Sequence, residues 1–308
     1  MKISIVDNIN QCEKLWNQFS TNTRVWDLWK TNFALYNPED HVLHFIFLES
    51  ENESGLLPLW YDKHYKKYYF FGGNYPENRN LWIPPKFFPD LWENLPEPTA
   101  LIDITDESFQ AITNSLPEYK DLFIEKDFSY SLDLTIFNGD INEYLKTFSR
   151  KHRKNLLYDI RKLLSLGYGV RWENNNDKSE KLIELNKERF LEESDFNDNE
   201  VLKDFNAFTK LFSEDGILKT SIVELSDEII GVEMGFFHED TYYLLNGGFN
   251  PTHKNIGKWM ILEHIKKALE LGAIKMDFLV GDSSGWKKLW NLSETPVYTL
   301  RKGDPSCD

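Results

Sequence analysis

Cysteine is scarce in this sequence of 308 residues, and its only two positions, Cys12 and Cys307, lie near opposite ends of the chain. This spacing excludes a disulfide framework and a Cys-x-x-Cys metal site. A long hydrophobic run is also missing, because no stretch approaches the roughly 20 apolar residues that a membrane helix needs, and the first residues do not form an export signal. We therefore expect a soluble, cytoplasmic protein.

Positive charge is also in short supply. The chain carries 35 Lys and Arg residues against 50 Asp and Glu residues, a formal net charge of −15. Broad binding of nucleic acid or of an anionic membrane needs clustered cations, so this balance argues against both, although a local basic site stays open. Residues 1–137 carry −10 of this charge and residues 138–308 carry −5. We therefore expect any bound anion on the second half.

Several short motifs of catalytic and metal sites are absent. The sequence contains no HExxH, no GxxxxGK[ST] loop and no GxGxxG. Its 7 histidines, among them His152, His238 and His253, do not fall at metal-ligand spacings. The paired glycines at 72–73 and 247–248 resemble a repeated turn at a strand end instead. We therefore predict no metal site.

The length predicts two domains, because 308 residues and 36.4 kDa exceed what one hydrophobic core usually organises. Hydrophobic residues make up 41% of the chain, with 10 Trp, 14 Tyr and 22 Phe, which is enough apolar surface for packed cores. We place the domains at residues 1–137 and 138–308.

The second half contains a regular succession of predicted elements. Connections of two and three residues separate three strand-like runs, so these strands should pair as antiparallel hairpins. The predicted strands cover residues 168–172, 217–225, 228–237, 241–249, 273–281 and 296–301, and the predicted helices cover 148–167, 178–193, 199–213, 255–271 and a short turn at 285–290.

The first half repeats much of this order, which indicates an internal duplication. Six prolines lie between residues 76 and 98, where the second half has its helix 255–271, so a continuous helix is not expected there. If a ligand binds at the start of that helix, only the second copy can hold it. The predicted strands cover residues 2–6, 42–48, 55–61, 65–71, 100–104, 121–126 and 129–136, and the helices cover 10–19, 24–35 and 106–115.

An anion site is predicted where the strand at 241–249 leads into the helix at 255–271. Free N–H groups and the positive end of the helix dipole favour a bound phosphate at such a helix start. Asn255 is a possible cap, and Gly257 would let phosphate oxygens approach the main chain. The alternative is an ordinary capped helix with basic surface residues, here His253, Lys254 and Lys258.

A second cluster of candidate residues follows the predicted strand 273–281. Asp277 lies near the end of this strand, and Lys287 lies in the turn after it. An acid and a lysine at the carboxyl ends of neighbouring strands would border a ligand cleft. The alternative is a structural Asp277 and a solvated Lys287.

The third feature is the predicted helix 148–167, which is amphipathic and basic. At 100° per residue its cations Arg150, Lys151, Lys154, Arg161 and Lys162 fall within an arc of about 120°. The opposite side is apolar, so this helix can pack and still present cations to an anionic ligand. The alternative is an ordinary solvated face. The apolar side consists of Leu156, Leu157, Ile160, Leu163 and Leu164.

Together these stretches resemble the FemAB-like, CelD-type acyltransferases, bacterial proteins built from two tandem GNAT-like folds. The resemblance covers the second half in its motifs and the first half in topology only. It implies a mixed α/β (α+β) fold of two tandem GNAT-like domains, the first degenerate. The matching positions are Ser149 to Lys154, Tyr242 to Asn250, Gly257, Asp277, Gly281, Trp286, Lys287 and Trp290.

The resemblance implies attack of an amine on an activated acyl group. This reaction needs alignment, a donor for the developing oxyanion and removal of one proton. A gap between strands 241–249 and 273–281 would expose main-chain N–H groups of Leu245, Asn246 and Gly247 for the oxyanion. The candidate bases are Glu233 and Asp277, the candidate leaving-group acid is Tyr243, and Lys287 would stabilise the leaving group.

Acyl-CoA, such as acetyl-CoA, is the preferred donor, because an aminoacyl-tRNA would require a wide cationic track. The residues implied for the donor are Leu245, Asn246, Gly247, His253, Lys254, Asn255, Ile256, Gly257 and Lys258. The expected acceptor is a small or cell-envelope-related amine, an amino sugar or peptide that can carry an anionic group, held by Arg150, Lys151, Arg153 and Lys154.

Two alternatives stay open. One is a FemX-like transferase that uses aminoacyl-tRNA, and the other is a GNAT-fold binding protein without turnover. The second rests on departures from the family pattern, because Trp259 follows Gly257 in the loop and Trp286 replaces the usual tyrosine, whose hydroxyl could act as an acid.

Overall fold

The computed structural model describes residues 1–281 and 285–303. Cys307 lies outside the described residues. The strands are β1 (Lys2–Val6), β2 (His41–Leu43), β3 (Phe45–Glu49), β4 (Ser54–Leu57), β5 (Leu59–Asp62), β6 (Lys67–Phe70), β7 (Thr99–Thr105), β8 (Phe123–Asp133), β9 (Gly169–Glu173), β10 (Leu218–Leu225), β11 (Glu228–His238), β12 (Thr241–Phe249), β13 (Lys275–Gly281) and β14 (Ser293–Lys302).

The α-helices alternate with these strands in a mixed α/β arrangement. Within the described residues, none is long and apolar enough to cross a membrane. They are α1 (Ile9–Phe19), α2 (Trp29–Phe33), α3 (Phe88–Asn94), α4 (Asp106–Ser115), α5 (Ile141–Lys146), α6 (Arg150–Ser165), α7 (Ser179–Phe190), α8 (Asn199–Glu214) and α9 (Ile256–Glu270).

The chain divides into two compact units. The first contains residues 1–129 and, of the later described residues, 280–281, 285 and 294–303. The second contains residues 130–279 and 286–293. The change from one unit to the other lies within β8, eight residues before the boundary at 137 placed from the sequence, and β14 returns to the first unit.

The first unit contains two groups of paired strands. β1, β3 and β4 form one antiparallel sheet. In the other group β5 pairs with β2 and β6 in antiparallel fashion, β6 pairs with β7 in parallel, and β7 pairs with β14 in antiparallel fashion. Its core includes a stack of Phe109 on Tyr298, with ring centroids 3.8 Å apart.

The second unit is built on the strand order β13-β12-β11-β10-β9, with the end of β8 beyond β13. The predicted hairpins are present, because β11 pairs in antiparallel fashion with both β10 and β12. α9 connects β12 to its parallel neighbour β13. This helix ends where predicted, at Gly272, which has the left-handed φ of 75°.

Some predicted boundaries were wrong. The strands predicted at 121–126 and 129–136 are one strand, β8, whose charged residues Glu125 and Lys126 are exposed. The run at 55–61 is split into β4 and β5 at Pro58, which has no N–H for strand pairing. The helix predicted at 24–35 is a short 3-10 turn, Val25–Asp27, followed by the five-residue α2.

Candidate functional site

Strands β12 and β13 separate after three residue pairs. Their parallel pairing runs from Thr241 and Lys275 to Tyr243 and Asp277. β12 continues beside β11 as far as Phe249, so a fork opens between β12 and β13 beyond Tyr243. This is the gap that the resemblance implied, and it lies at the carboxyl end of β13.

A β-bulge marks the part of β12 that borders the fork. Leu244 pairs with Gly235 and Asn246 pairs with Met234, so Leu245 is an extra residue without a partner position on β11. A bulge of this kind turns main-chain groups away from the strand ladder. Leu245 and Asn246, two of the three residues for which the resemblance implied main-chain donors to an oxyanion, therefore border the fork, and Gly247 follows them on β12.

Helix α9 begins directly after the fork. Its first intrahelical bond runs from the N–H of Trp259 to the carbonyl of Asn255, at 3.2 Å, so the amides of residues 256–258 precede the hydrogen-bonded helix. Asn255 occupies the N-cap position, as predicted, but it has a left-handed φ of 69° and its side chain makes no cap bond. Its Oδ1 atom instead accepts a bond from Lys258 Nζ at 3.4 Å.

The basic residues of this loop have different surroundings. His253 Nδ1 lies 2.5 Å from the hydroxyl of Tyr168, which fixes the ring. Lys254 is exposed. Lys258 is also exposed, and its Nζ atom lies 3.9 Å from Asp159 of α6.

The glycine at 257 is required for a different contact from the one we expected. A Cβ atom placed there would lie 2.5 Å from the ring of Phe249, so the close approach is made by an aromatic side chain at the end of β12. The next aromatic residue, Trp259, is buried on α9, and its Nε1 donates to Glu263 at 3.0 Å.

Three of the predicted catalytic residues lie near the base of the fork. Tyr243 and Asp277 are register partners in the last parallel pair, and both are buried. Tyr243 stacks on Phe236 with centroids 4.6 Å apart. Asp277 Oδ1 accepts the N–H of Leu279 at 2.8 Å, and Lys287 Nζ donates to the carbonyl of Leu279 at 3.0 Å.

Glu233 lies on β11 opposite Gly247, two residues after the bulge. Its side chain covers this glycine so closely that a Cβ at 247 would lie 3.0 Å from Oε1. The Oε2 atom is buried and makes no hydrogen bond. Burial raises the pKa of Glu233 to about 8, and the nearby charge of Arg189 opposes this rise. The carboxyl group is therefore mainly protonated at neutral pH.

A buried histidine next to Glu233 was missed by the sequence analysis. His264 on α9 is fully buried, with its Nδ1 2.7 Å from the Tyr242 hydroxyl and its Nε2 2.9 Å from the Ser221 hydroxyl. Burial lowers its pKa to about 3, so the ring is neutral. One signal was available, because His264 interrupts the apolar side of α9 between Met260 and Ala268.

Arg189 and Asn186 of α7 were also missed. Asn186 Nδ2 donates to the carbonyl of Gly247 at 2.9 Å, so α7 is fixed to β12 beside the bulge. The guanidinium of Arg189 lies 3.9 Å from the centroid of Phe249. Both residues fall within an unremarkable helical pattern, and no sequence signal distinguished them.

A cavity of about 340 Å³ lies beside the start of α6. Of the four predicted acceptor residues, Lys151 lines it, whereas Arg150, Arg153 and Lys154 do not. The walls come from the three stretches that the sequence analysis singled out, which therefore meet in one place. The lining residues are Ser149, Lys151, His152, Asn155, Leu156, Asp159, Lys258, Leu289 and Trp290.

The corresponding place in the first unit is filled. Gly72 and Gly73 follow β6 with left-handed φ values of 98° and 69°. A Cβ at 72 would lie 2.4 Å from Asn32 Oδ1, and one at 73 would lie 3.1 Å from Trp60. The buried guanidinium of Arg79 bonds to Asn32 at 2.7 Å, and burial lowers the pKa of Arg79 to about 9.

Among residues 1–281 and 285–303 no group of three His, Cys, Asp or Glu side chains is arranged to hold a metal ion. The polar groups around the fork are main-chain donors, buried acids and lysines.

Residues 150–288 match the family model described as an acetyltransferase (GNAT) domain. The chain has a GNAT-like fold. The similar solved structures include FemX, at 14% identity and a TM-score of 0.59, with 99% of this chain and 98% of that chain covered. A tandem GNAT protein from the clavulanic acid biosynthesis pathway has 9% identity and a TM-score of 0.55, with 99% of this chain and 100% of that chain covered.

A third similar structure is L-PGS from Bacillus licheniformis, at 11% identity and a TM-score of 0.51, with 100% of this chain and 96% of that chain covered. A comparison with curated proteins gave no match. At these identities the similar structures establish the fold alone. The match to an acetyltransferase (GNAT) domain model supports acyl transfer in general.

Proposed function

We propose that the second unit is an N-acyltransferase that moves an acyl group from acyl-CoA to an amine. The observation that carries this proposal is the fork between β12 and β13, with the bulge at Leu245 on one side and the unbonded start of α9 beyond it. A fork of this kind accepts an extended chain between two strands while main-chain donors face its carbonyl group.

The donor would lie with its phosphates near the amides of residues 256–258. Three observations support this placement: the amides precede the first intrahelical bond, the helix dipole favours an anion, and Lys254 and Lys258 are exposed beside them. The Phe249 ring occupies the side of Gly257 that faces β12. The amide groups, rather than this glycine's Cα, are therefore the expected phosphate contacts.

In the proposed reaction the amine nitrogen attacks the thioester carbonyl. A C–N bond forms, the C–S bond breaks, and the nitrogen loses one proton. The main-chain N–H groups at Leu245 and Asn246 would stabilise the oxyanion, and the ionised form of Glu233 would accept the proton, directly or through water. Lys287 would stabilise the negative charge that develops on the departing sulfur, close to Tyr243 and Asp277.

The acceptor class is proposed from charge. The cavity beside α6 contains Lys151 and Lys258, with the single carboxylate of Asp159 between the two helices. This lining fits an acceptor that carries an anionic group, such as an acidic amino sugar or a peptide of the cell envelope. Charge reversal at Lys151 should raise the KM for such an acceptor and leave the KM for acyl-CoA unchanged.

The proposal is tested by measuring heat of binding with CoA and acetyl-CoA, followed by thiol release with a panel of amines. Lys254→Gln with Lys258→Gln should weaken CoA binding about tenfold, because two charge contacts to phosphate are lost. The matched control is Lys203→Gln with Lys210→Gln on α8, which removes the same charge. Absence of binding heat with folded protein would contradict the donor assignment.

The second candidate is a transferase that uses aminoacyl-tRNA. It is favoured by one observation, the five cations on α6 that form no ion pair with any residue that the structure describes. A gel shift with bulk tRNA that weakens steeply with salt would support it. A protein that binds CoA but never releases thiol would instead support a binding role, for which Trp286 provides no acidic hydroxyl.

A further inference from the structure

Helix α6 presents an exposed cationic face, which consists of Arg150, Lys151, Lys154, Arg161 and Lys162. None of the five forms an ion pair with a described residue. Other lysines of the second unit do, including Lys181 with Glu184 at 2.8 Å and Lys267 with Glu270 at 2.7 Å. The only carboxylate of α6, Asp159, is directed to Lys258. The cationic face is therefore not neutralised by the protein itself.

Large apolar side chains are exposed on the same helix. Tyr158 is 62% exposed and lies within the arc of the cations, and Leu164 and Leu166 at the carboxyl end are 52% and 58% exposed. The sequence analysis placed Leu164 on the packed side of the helix, and the structure corrects this prediction because the side chain is exposed. Only Leu156, Ile160 and Leu163 of α6 are buried.

The turn after β13 extends this surface. Leu289 is 53% exposed and lines the same cavity as Lys151, so it lies close to the beginning of α6. The surface thus combines an exposed tyrosine and exposed leucines with cations that form no ion pair with a described residue.

We propose that this surface docks the protein onto an anionic lipid bilayer. Lysine and arginine are attracted to anionic headgroups, tyrosine favours the headgroup level, and exposed leucines enter the boundary with the acyl chains. A nucleic acid would use the cations but gives exposed leucines no apolar environment, so the combination favours the bilayer. This inference does not depend on the proposed transfer reaction.

The net charge of −15 determines how such docking can occur. Charges farther from the bilayer than the Debye length of about 8 Å are largely screened at physiological salt. Only the side chains nearest the bilayer then contribute to the electrostatic attraction, so the protein can bind through α6 in one orientation. The remaining acidic surface would be repelled and would prevent other orientations.

The test is co-sedimentation of the full chain with vesicles of phosphatidylcholine, with or without about 30% phosphatidylglycerol. We expect binding to the anionic vesicles only, and weaker binding as salt increases. Arg161→Gln with Lys162→Gln should lower the partition coefficient about 25-fold, since each cation contributes about fivefold. The control Lys2→Gln with Lys14→Gln removes the same charge from the first unit and should bind like the unmodified protein.

A second pair of variants tests the apolar contribution with all charges retained. Leu164→Gln with Leu166→Gln should lower vesicle binding about tenfold. The control Ile124→Gln with Ile136→Gln changes exposed isoleucines outside α6 and should have no effect. Thermal melts verify that each variant is folded.

Three results would overturn the proposal. The first is absence of binding to anionic vesicles by the folded protein. The second is equal binding by the α6 variants and their controls. The third is loss of binding to bulk tRNA in the Arg161 and Lys162 variant together with unchanged vesicle binding, which would identify the face as a nucleic-acid site.

Discussion

Glu233 Oε2 and His264 Nε2 lie 3.7 Å apart inside the second unit, and neither group is mainly charged at neutral pH. Burial raises the pKa of Glu233 to about 8 and lowers the pKa of His264 to about 3. The contact is therefore a pair of neutral groups and not a salt bridge. Arg189 is the residue whose charge favours ionisation of Glu233.

The activity should depend on pH through Glu233 if this residue is the base. Because the ionised carboxylate accepts the proton and its pKa is about 8, kcat/KM should rise about tenfold per pH unit below pH 8 and level off above it. Glu233→Gln should lower kcat by about 10²-fold to 10³-fold and abolish this rise. The measurement is a pH–rate profile with an acceptor that does not titrate in this range.

A substitution at Arg189 provides a separate test of whether Glu233 is the catalytic base. Arg189→Met removes the positive charge that opposes the effect of burial, so the midpoint of the pH–rate profile should move to higher pH. Lys187→Met on the same helix is the control and should leave the midpoint in place. An unchanged midpoint in the Arg189 variant would show that a group other than Glu233 titrates.

The antiparallel strands β10, β11 and β12 and the helix α9 were predictable from the sequence. Two short connections restrict the strands to hairpins, and Gly272 ends the helix in the conformation that glycine favours. Local chain chemistry decides these features, so a local pattern is sufficient. The fork followed from the resemblance to a known fold, and its position at Tyr243 and Asp277 needed the structure.

The parts of the site that escaped the sequence depend on contacts between distant segments. His264 and its hydroxyl partners Ser221 and Tyr242 come from three different elements and have no common spacing. The glycines at 247 and 248 were interpreted as a turn, but they continue β12, since Gly247 is covered by Glu233 and Gly248 by α7. The sequence alone does not distinguish a glycine that is needed because another chain segment packs closely against it from a glycine that is needed for a turn.

Glu233 and His264, which form the neutral pair, should make the free energy of unfolding depend on pH in opposite directions. The raised pKa of Glu233 gives a contribution that is complete below its usual value of 4.5 and is lost as pH rises through 8. The lowered pKa of His264 gives a contribution that is complete above 6.5 and is lost as pH falls towards 3. The two slopes cancel between about pH 4.5 and 6.5.

Glu233→Gln isolates the first of these effects. At pH 9 it should increase the free energy of unfolding by an amount on the order of 4 kcal/mol, because no buried charge has to form, whereas at pH 4 the difference should vanish. Urea unfolding at the two pH values is the measurement. A difference that is equal at both would show that Glu233 does not titrate with a raised pKa.

Gly248→Ala should destabilise the second unit strongly. The new Cβ would lie 2.4 Å from the carbonyl oxygen of Leu182 and 2.5 Å from the amide nitrogen of Asn186, which are main-chain atoms of α7 and cannot rotate away. We expect a loss of about 2 kcal/mol or more in urea unfolding. Gly169→Ala is the control, because no atom lies within 4 Å of its Cβ position, and a similar loss in both variants would contradict this account.

Lys287 should matter most when the leaving group is poor. Its Nζ atom donates to the carbonyl of Leu279 beside the fork and lies 5.2 Å from the centroid of Tyr130, so the ammonium group is held near the place proposed for cleavage of the C–S bond. Lys287→Met should lower kcat/KM about 10²-fold with an alkyl thioester such as acetyl-CoA, and much less with an acetyl ester of a nitrophenol, whose anion is stable by itself.

Lys288→Met is the matched control, since the neighbouring lysine is exposed and should affect neither substrate. Lys287→Arg keeps the charge and should retain part of the activity with the thioester. An equal loss with both leaving groups in Lys287→Met would assign this lysine to the structure of the fork, because support of the main chain at Leu279 affects every substrate alike. A loss confined to the thioester requires a charge that acts on the departing sulfur.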